Sequence, residues 1–384
     1  MTRPLYAYAF LNDFVLLYPV YALLFSDAGL SVWQISSLFA LWSVTGVLLE
    51  VPSGALADAV SRRLLLWTGP LLTAAGFALW VLAPSYTAFA LGFVLWGAGG
   101  ALGSGALEAL VHEELDRLGA AESYARVMGR ARAAGLVAVM AAMGLAGPVF
   151  AAGGHPAVGA ASVLACLLCA AAATRFPEHR AAVSGGAGWA GTLRAGLADV
   201  RADRSVRGVL LLVAAVGSVW GALDEYTPLL VRETGVPAAV APYVLLLIWA
   251  GATVGSLLAG PGERLGRAGF VGLLAGSGLA LAVGASAGTP AGLGLVAVAF
   301  GGFQLAGVLA DARLQRRIDD SGRATLTSVA GLGTETATIA VFGGYSAVAS
   351  ASAHGTAFAV FALPYLVTAL VVVFGGAARR RRPR

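Results

Sequence analysis

The chain has 384 residues, of which 58% are hydrophobic and only 12% are charged, and its mean hydropathy is +0.81. A soluble globule of this length could not bury so large an apolar share, so the composition excludes a soluble globular protein. The formal net charge is +5, and all 25 basic residues are arginine. This charge is expected to reflect membrane topology and attraction to anionic lipids, and no nucleic-acid partner is expected.

Long apolar segments follow one another along the whole chain, separated by charges, prolines and glycine clusters. A helix needs about 20 residues to cross the hydrocarbon layer, and runs of this length without alternation exclude a membrane β-barrel. The expected fold class is therefore an all-α integral membrane protein. We predict twelve transmembrane helices, at approximately residues 5–26, 33–57, 64–83, 86–112, 127–152, 156–176, 207–231, 238–260, 268–287, 290–312, 324–349 and 353–377.

The arginines fall almost entirely into every second loop between these spans. Among the loops of the other side, only Arg232 is basic. The positive-inside rule then predicts a multi-pass protein of the cell inner (cytoplasmic) membrane with both termini in the cytoplasm. The segments assigned to the cytoplasm carry Arg62 and Arg63, Arg117 and Arg126, Arg175 to Arg207, Arg264 and Arg267, Arg313 to Arg323, and Arg379 to Arg384.

An internal duplication divides the chain into two halves of six spans. The longest polar stretch, residues 177–206, is rich in Gly, Ser and charges and is interpreted as a cytoplasmic linker between residues 1–176 and residues 207–384, which end in a basic tail. An offset of about 205 positions is what a parallel repeat with two pseudo-symmetric halves predicts. The residues that recur at this offset are Asp58 with Glu263, Arg62 with Arg267, and Glu108 with Asp311.

The loop after the second span carries the most specific motif. Its sequence GALADAVSRR, residues 54–63, resembles the loop signature G-x-L-A-D-x-x-G-R-[RK] of the major facilitator superfamily, with Ser61 in place of the second glycine and Ala59 in place of the usual basic residue. The segments EVPSG (residues 50–54) and SGALEA (residues 104–109) are similar to a bacterial drug-efflux branch of that superfamily.

The resemblance implies alternating access between the two halves around a site at the membrane midplane. It also implies that spans one, four, seven and ten line a cavity, flanked by spans two, five, eight and eleven. The residues expected to latch or gate the cytoplasmic side are Glu50, Gly54, Asp58, Arg62, Arg63, Glu108 and Arg130. The alternative is that these are solvated turn charges and topology determinants.

Two acidic residues lie deep within predicted spans. Asp13 is ten residues beyond Arg3, which places it about 15 Å into span one, and Glu335 is twelve residues beyond Arg323 in span eleven. An ionisable group at the centre of a span costs roughly 2.5–3.5 kcal/mol or more, so each is a functional candidate. We predict that Asp13 and Glu335 carry protons during transport, with a purely structural role as polar contacts between helices as the alternative.

Aromatic and polar residues on the expected cavity walls suit an amphiphilic ligand, and no arginine lies mid-span to hold an anion. The cavity candidates are Asn12, Tyr18, Trp42, Trp220, Asp224, Glu225, Trp249 and Gln304. The acid pair could instead be a solvated helix end. Tyr21, Tyr226 and Trp33 are interpreted as members of an interfacial aromatic belt.

These features predict a monomeric secondary transporter that moves a small cationic or neutral amphiphile out of the cell in exchange for protons. The chain contains no nucleotide-binding or metal-ligand spacing, so no cofactor, no metal and no enzymatic activity are expected. Two alternatives stay open: a proton-coupled importer of a small nutrient, and a membrane sensor or enzyme that does not transport.

Overall fold

The structure, a computed structural model, describes residues 2–59, 61–103, 106–177, 204–315 and 323–380. All regular secondary structure in these ranges is helical. A short 3-10 turn, Ala121–Ser123, precedes the longest helix. In chain order the α-helices are α1 (Thr2–Asp13), α2 (Tyr21–Asp27), α3 (Val32–Ala59), α4 (Arg62–Leu82), α5 (Tyr86–Gly103), α6 (Ala106–Arg117), α7 (Tyr124–Ala173), α8 (Arg204–Glu233), α9 (Ala241–Leu257), α10 (Ala259–Gly262), α11 (Arg267–Ser286), α12 (Gly292–Gln315), α13 (Arg323–Ala349), α14 (His354–Val360) and α15 (Leu363–Arg380).

Eight helical segments of the described residues are long and apolar enough to cross a membrane, which confirms the prediction of an all-helical multi-pass membrane protein. The number twelve stays a prediction, because several predicted spans take another form. Span one is divided between two short helices, spans five and six share α7, and span eight is the 17-residue helix α9. Most of the predicted linker and the end of the basic tail lie outside the described residues.

The break in span one is the largest departure from the predicted elements. Helix α1 ends at Asp13, α2 begins at Tyr21, and the intervening turns contain Pro19, which has no backbone N–H to continue a helix. The backbone N–H of Leu17 donates to Ser162 Oγ at 3.0 Å, and this contact is buried. A side chain of α7 therefore satisfies a donor that the broken helix leaves open inside the membrane.

Helix α7 contains predicted spans five and six, which are separated by a kink. Gly153 and Gly154 leave the helical region, and Gly154 adopts φ 61° and ψ −154°, a conformation that only glycine adopts without strain. Pro156 follows two residues later and favours a new helix start. The predicted boundary between the two spans is therefore at the kink.

The chain forms two compact units. The first comprises Met1–Gly186 with Ala238–Tyr243, and within it α1 and α4 pack on α7, while α3 and α4 pack on α5. The second comprises Ala187–Pro237 with Val244–Arg384, and within it α8 packs on α12 and α13, while α11 packs on α12, α14 and α15. The division into residues 1–176 and 207–384 stays a prediction.

An acid and a histidine join the first and last predicted spans within each unit. In the first unit Asp27 Oδ2 lies 2.9 Å from His155 Nε2. In the second, the Glu233 carboxylate accepts the backbone N–H groups of His354 at 2.6 Å and Gly355 at 3.1 Å. Glu233 thus caps the N-terminus of α14, where free N–H groups and the helix dipole favour a carboxylate.

We expect Glu233→Ala to lower the free energy of unfolding of the second unit by about 1 kcal/mol, because two backbone N–H groups of α14 lose their acceptor. A thermal melt of the purified protein in detergent measures this as a lower transition temperature. Glu122→Ala, a change at an exposed acid of the 3-10 turn, is the matched control and should leave the transition in place. An equal shift in the two variants would contradict the capping role.

Candidate functional site

Asp13 is the last residue of α1, at the start of the break in span one. Its Oδ1 accepts a hydrogen bond of 3.0 Å from Asn12 Nδ2, and its side chain is partly buried. Its Oδ2 faces Gly135 of α7 so closely that a Cβ at residue 135 would collide with it. The absence of a side chain at Gly135 is therefore what allows the carboxylate to approach α7.

An aromatic wall stands beside this break in the first unit. Tyr18 stacks on Trp96 with ring centroids 5.6 Å apart, and Trp42 stacks on the same indole at 4.9 Å. All three side chains are partly exposed, whereas Trp80 and Phe93 behind them are buried. The wall therefore presents ring surface on one side and is fixed by a buried aromatic cluster on the other.

Trp96 is a functional candidate that the sequence analysis missed. It lies in predicted span four, one of the spans expected to line a cavity, and it is followed by Gly97, where a Cβ would stand 2.9 Å from Thr45 Cγ2. Helix α5 therefore approaches α3 at this point, which brings Trp96 onto Trp42. The Trp-Gly pair in a predicted cavity-lining span is the signal that could have identified it.

Burial corrects the interpretation of two other aromatic residues. Tyr21 is 6% exposed and packs in the same aromatic cluster, with its ring 6.0 Å from that of Trp80. Tyr226 is fully buried and stacks on Tyr345 at 3.8 Å. Both residues were expected in an interfacial belt, and that expectation is wrong because both rings pack inside a unit and do not face the lipid. Trp33 is 52% exposed, which is compatible with a belt position.

In the second unit, the acid pair of α8 is partly buried and so is not a fully solvated helix end. Trp249, the cavity candidate of α9, is 37% exposed. Trp220 lies one turn before Asp224, and its ring meets that of Phe300 edge to face at 6.3 Å. Glu225 is the next residue along the chain and points about 100° away around the helix.

Helices α9 and α12 form a polar contact in this unit. Gln304 Nε2 of α12 donates to Ser256 Oγ of α9 at 3.1 Å. The two backbones meet directly, because a Cβ at Gly251 or Gly255 would collide with a carbonyl oxygen of α12. The side-chain amide of Gln304 therefore links α12 to α9 through Ser256.

Glu335 lies in α13 and is partly buried. The preceding residue, Thr334, packs close to Gly217 of α8, where a Cβ would stand 3.4 Å from Thr334 Cγ2. Glu335 and Asp224 therefore belong to the second unit, whereas Asp13 belongs to the first.

Of the expected gate residues, Arg62 has a defined ion-pair partner. Its Nη1 lies 2.5 Å from Glu113 Oε2, which joins the start of α4 to α6. Glu113 is not among the predicted gate residues. Of the remaining candidates, Arg63 and Glu108 are partly buried and Arg130 is exposed. The side chains of Glu50, Gly54 and Asp58 lie outside the described residues.

The comparisons with known proteins agree with this architecture. The sequence pattern of the Major Facilitator Superfamily matches residues 5–343. Among curated protein sequences, none matches the chain. Among solved structures, a mutant of the nucleoside transporter NupG superposes with a TM-score of 0.78 at 14% identity, covering 98% of this chain and 99% of that one.

Two further transporters have the same fold. A bacterial homologue of the human lysosomal transporter Spinster, solved inward-facing and unoccupied, has a TM-score of 0.67 at 16% identity, covering 97% of this chain and 93% of that one. The POT family transporter PepTSo has a TM-score of 0.71 at 12% identity, covering 100% and 98%. Identities this low show a common fold and leave the substrate open.

Proposed function

This chain belongs to the major facilitator superfamily, and from that premise we propose that it exports a small cationic or neutral amphiphilic molecule across the cytoplasmic membrane in exchange for protons. The family match and the transporter folds point to a transporter rather than an enzyme. The proposal adds the direction, the coupling ion and the substrate class, together with a monomeric state and cytoplasmic termini. It rests above all on the position of Asp13.

Asp13 combines the properties of a proton carrier in a membrane. A carboxylate inside a span is costly, and taking up a proton removes the charge. The C-terminal end of a helix carries partial negative charge, so the end of α1 attracts a cation or a proton to this point. Interrupted helices are the usual place for coupling-ion sites in transporters. A proton bound at Asp13 would therefore change the charge at a break in the backbone, where the chain can respond by moving.

Side chains within each unit, considered separately, support the proposed substrate class. The partly exposed faces of Tyr18, Trp42 and Trp96 can stack on an apolar or cationic group. Asp224 and Glu225 supply two partly buried carboxyl groups in the second unit. No arginine lies mid-span in the sequence, so an anionic substrate would find no counter-charge there. Glu335 is the second candidate proton carrier.

The alternative within transport is proton-coupled import of a small nutrient. The fold likeness to a nucleoside transporter keeps this candidate open. Both functions use an acid as proton carrier, and they differ in whether substrate and proton move in opposite directions or together.

We expect Gly135→Ala to reduce ligand-dependent proton flux roughly tenfold, because the added methyl group displaces the Asp13 carboxylate and overpacking of this kind costs about 1–3 kcal/mol. The assay uses protein reconstituted in liposomes with a trapped pH-sensitive dye, a proton gradient and a panel of cationic amphiphiles. Asp13→Asn should reduce the flux to that of liposomes without protein.

Gly144→Ala is the matched control, because Gly144 lies on the same helix and a Cβ there has open space within 4 Å. It should transport like the unmodified protein. Equal flux in Gly135→Ala and Gly144→Ala, or proton flux that survives Asp13→Asn, would contradict the role of Asp13. Glu335 would then be the remaining candidate proton carrier.

Trp96→Leu is expected to raise the KM for an aromatic cation about fivefold, because a stacked aromatic pair contributes about 0.5–1.5 kcal/mol beyond burial of its area. The KM for an aliphatic amine of equal size should change less. Trp67→Leu, at a partly exposed tryptophan of α4 outside the wall, serves as the control. A uniform change in KM for both ligands would mean that Trp96 supports the fold rather than the substrate.

A further inference from the structure

The second half of the broken span one is joined to α7 at two points. Before α2, the backbone N–H of Leu17 donates to Ser162 Oγ. At the end of α2, the Oδ2 of Asp27 lies 2.9 Å from the Nε2 of His155. His155 and Ser162 are seven residues apart, so they lie on one face of α7, two helical turns from each other. One face of α7 therefore holds both ends of the segment that contains α2.

Asp27 and His155 are isolated charges in the sequence of the first unit. The stretches 14–49, 64–107 and 133–174 contain no other Asp, Glu, Arg or His. The two residues are 128 positions apart in the chain, and the fold brings them into contact. Their pairing is therefore not a by-product of a generally charged surface.

The imidazole of His155 makes its polar contact through one nitrogen. Its Nδ1 is buried and has no hydrogen-bond partner among the residues that the structure describes. The ring of Phe150 packs against the imidazole edge to face at 4.9 Å. The side chains of His155 and Asp27 are 15% and 45% exposed, so water and protons reach the Nε2 contact.

Other charged and titratable groups of the neighbouring helices lie away from this contact. Helix α4 approaches this part of α7 with its last turn, whereas Arg62 begins α4 about 30 Å away. The Asp13 carboxylate faces the other half of α7, before the kink. Tyr86 of α5 is hydrogen-bonded to a serine of α3, and a tyrosine hydroxyl is neutral near pH 7. Among the described residues, the carboxylate that faces His155 is that of Asp27.

We propose that Asp27 and His155 form a pH-sensitive clasp, which holds the second half of span one against α7 more firmly in acid. Histidine changes its charge between about pH 5 and pH 8. At the alkaline end the neutral ring donates an ordinary hydrogen bond from Nε2, and at the acid end the imidazolium adds attraction to the carboxylate. This added attraction is fully present in acid and is lost as the pH rises through the titration of the imidazole.

The second unit has a counterpart that does not depend on the charge of a histidine. Glu233 lies 206 positions after Asp27, and His354 lies 199 positions after His155, close to the offset of the internal repeat. The Glu233 carboxylate accepts backbone N–H groups of His354 and the next residue, and these keep their protons throughout this pH range. The imidazole of His354 is hydrogen-bonded to Tyr345 instead, at 2.7 Å. The repeated junction is therefore pH-sensitive in the first unit alone.

The predicted topology places the clasp outside the cell, on the side from which protons enter in the proposed exchange. An acid exterior would then fix the second half of span one, and a neutral exterior would release it. This consequence for transport rests on the proposed function, whereas the clasp itself rests on the contact between Asp27 and His155.

Hydrogen exchange of the full-length protein in detergent, without ligand or gradient, tests the clasp. The N–H groups of Ala28, Gly29 and Leu30 bond to carbonyl groups of α2, so their exchange reports opening of its last turn. Mass spectrometry of a peptide that contains them gives their protection, corrected for the intrinsic pH dependence of exchange. We expect this protection to fall about two- to fivefold between about pH 5.5 and pH 8, as for a partly exposed ion pair.

His155→Gln and Asp27→Asn should each give low protection of this turn at both pH values, because either change removes the charge pair. His112→Gln is the matched control, since His112 is an exposed histidine of α6 in the same unit, and it should keep the pH dependence. A peptide that contains His354 reports the Glu233 contact in the same samples. Its protection should be equal at both pH values in every variant, which also shows that the variants are folded.

The proposal is overturned if the last turn of α2 is equally protected at both pH values, or if the pH dependence survives His155→Gln or Asp27→Asn. Loss of the pH dependence in His112→Gln would also contradict it. Proton-coupled transport together with pH-independent protection would contradict the clasp alone. A pH-dependent clasp without proton-coupled transport would contradict only the proposed exchange.

Discussion

In the hydrocarbon layer, every backbone N–H and C=O must find a partner within the protein, and a charge there must find a counter-charge or a proton. A continuous helix pairs its backbone groups internally, and the break between α1 and α2 interrupts this pairing. Ser162 compensates for it by accepting the N–H of Leu17. What remains at the end of α1 is Asp13, whose carboxylate faces Gly135 and accepts from Asn12. The proposed coupling mechanism depends on this arrangement.

The requirement that polar groups find partners within the protein also applies to the second unit. Glu233 satisfies two N–H groups at the start of α14. Among the described residues of the second unit, the buried N–H of Trp220 has no hydrogen-bond partner.

Hydropathy predicts the all-helical membrane-spanning class well, because it reflects the bilayer directly. The orientation that the arginines indicate stays a prediction. The boundary between spans five and six was also predictable, since Gly153 and Gly154 combine with Pro156 at the kink. The break in span one was not predicted, because a hydropathy window averages over Pro19 and the polar pair before it. The predicted depth of Asp13 does not depend on the break, because Arg3 and Asp13 both lie in α1.

Partners across helices were the least predictable part of the site. The contact of Trp96 with Trp42 and the ion pair of Arg62 with Glu113 join residues far apart in the chain, and no local pattern specifies them. Burial of Tyr21 and Tyr226 likewise depends on which face of a helix meets its neighbours, and hydropathy does not report that. Charged and polar residues within predicted spans can be identified from the sequence, whereas the residues that they contact can be identified only from the folded structure.

The most direct test of exchange between substrate and protons is the direction in which protons move when a substrate gradient is the only driving force. Liposomes containing the protein, a trapped pH-sensitive dye and an aromatic amine at high internal concentration are diluted into amine-free buffer at equal pH. Exchange of amine for protons predicts transient internal acidification that exceeds the effect of passive amine loss from protein-free liposomes and disappears in Asp13→Asn. Internal alkalinisation would mean that amine and proton move together, and substrate loss without any protein-dependent pH change would contradict proton coupling altogether.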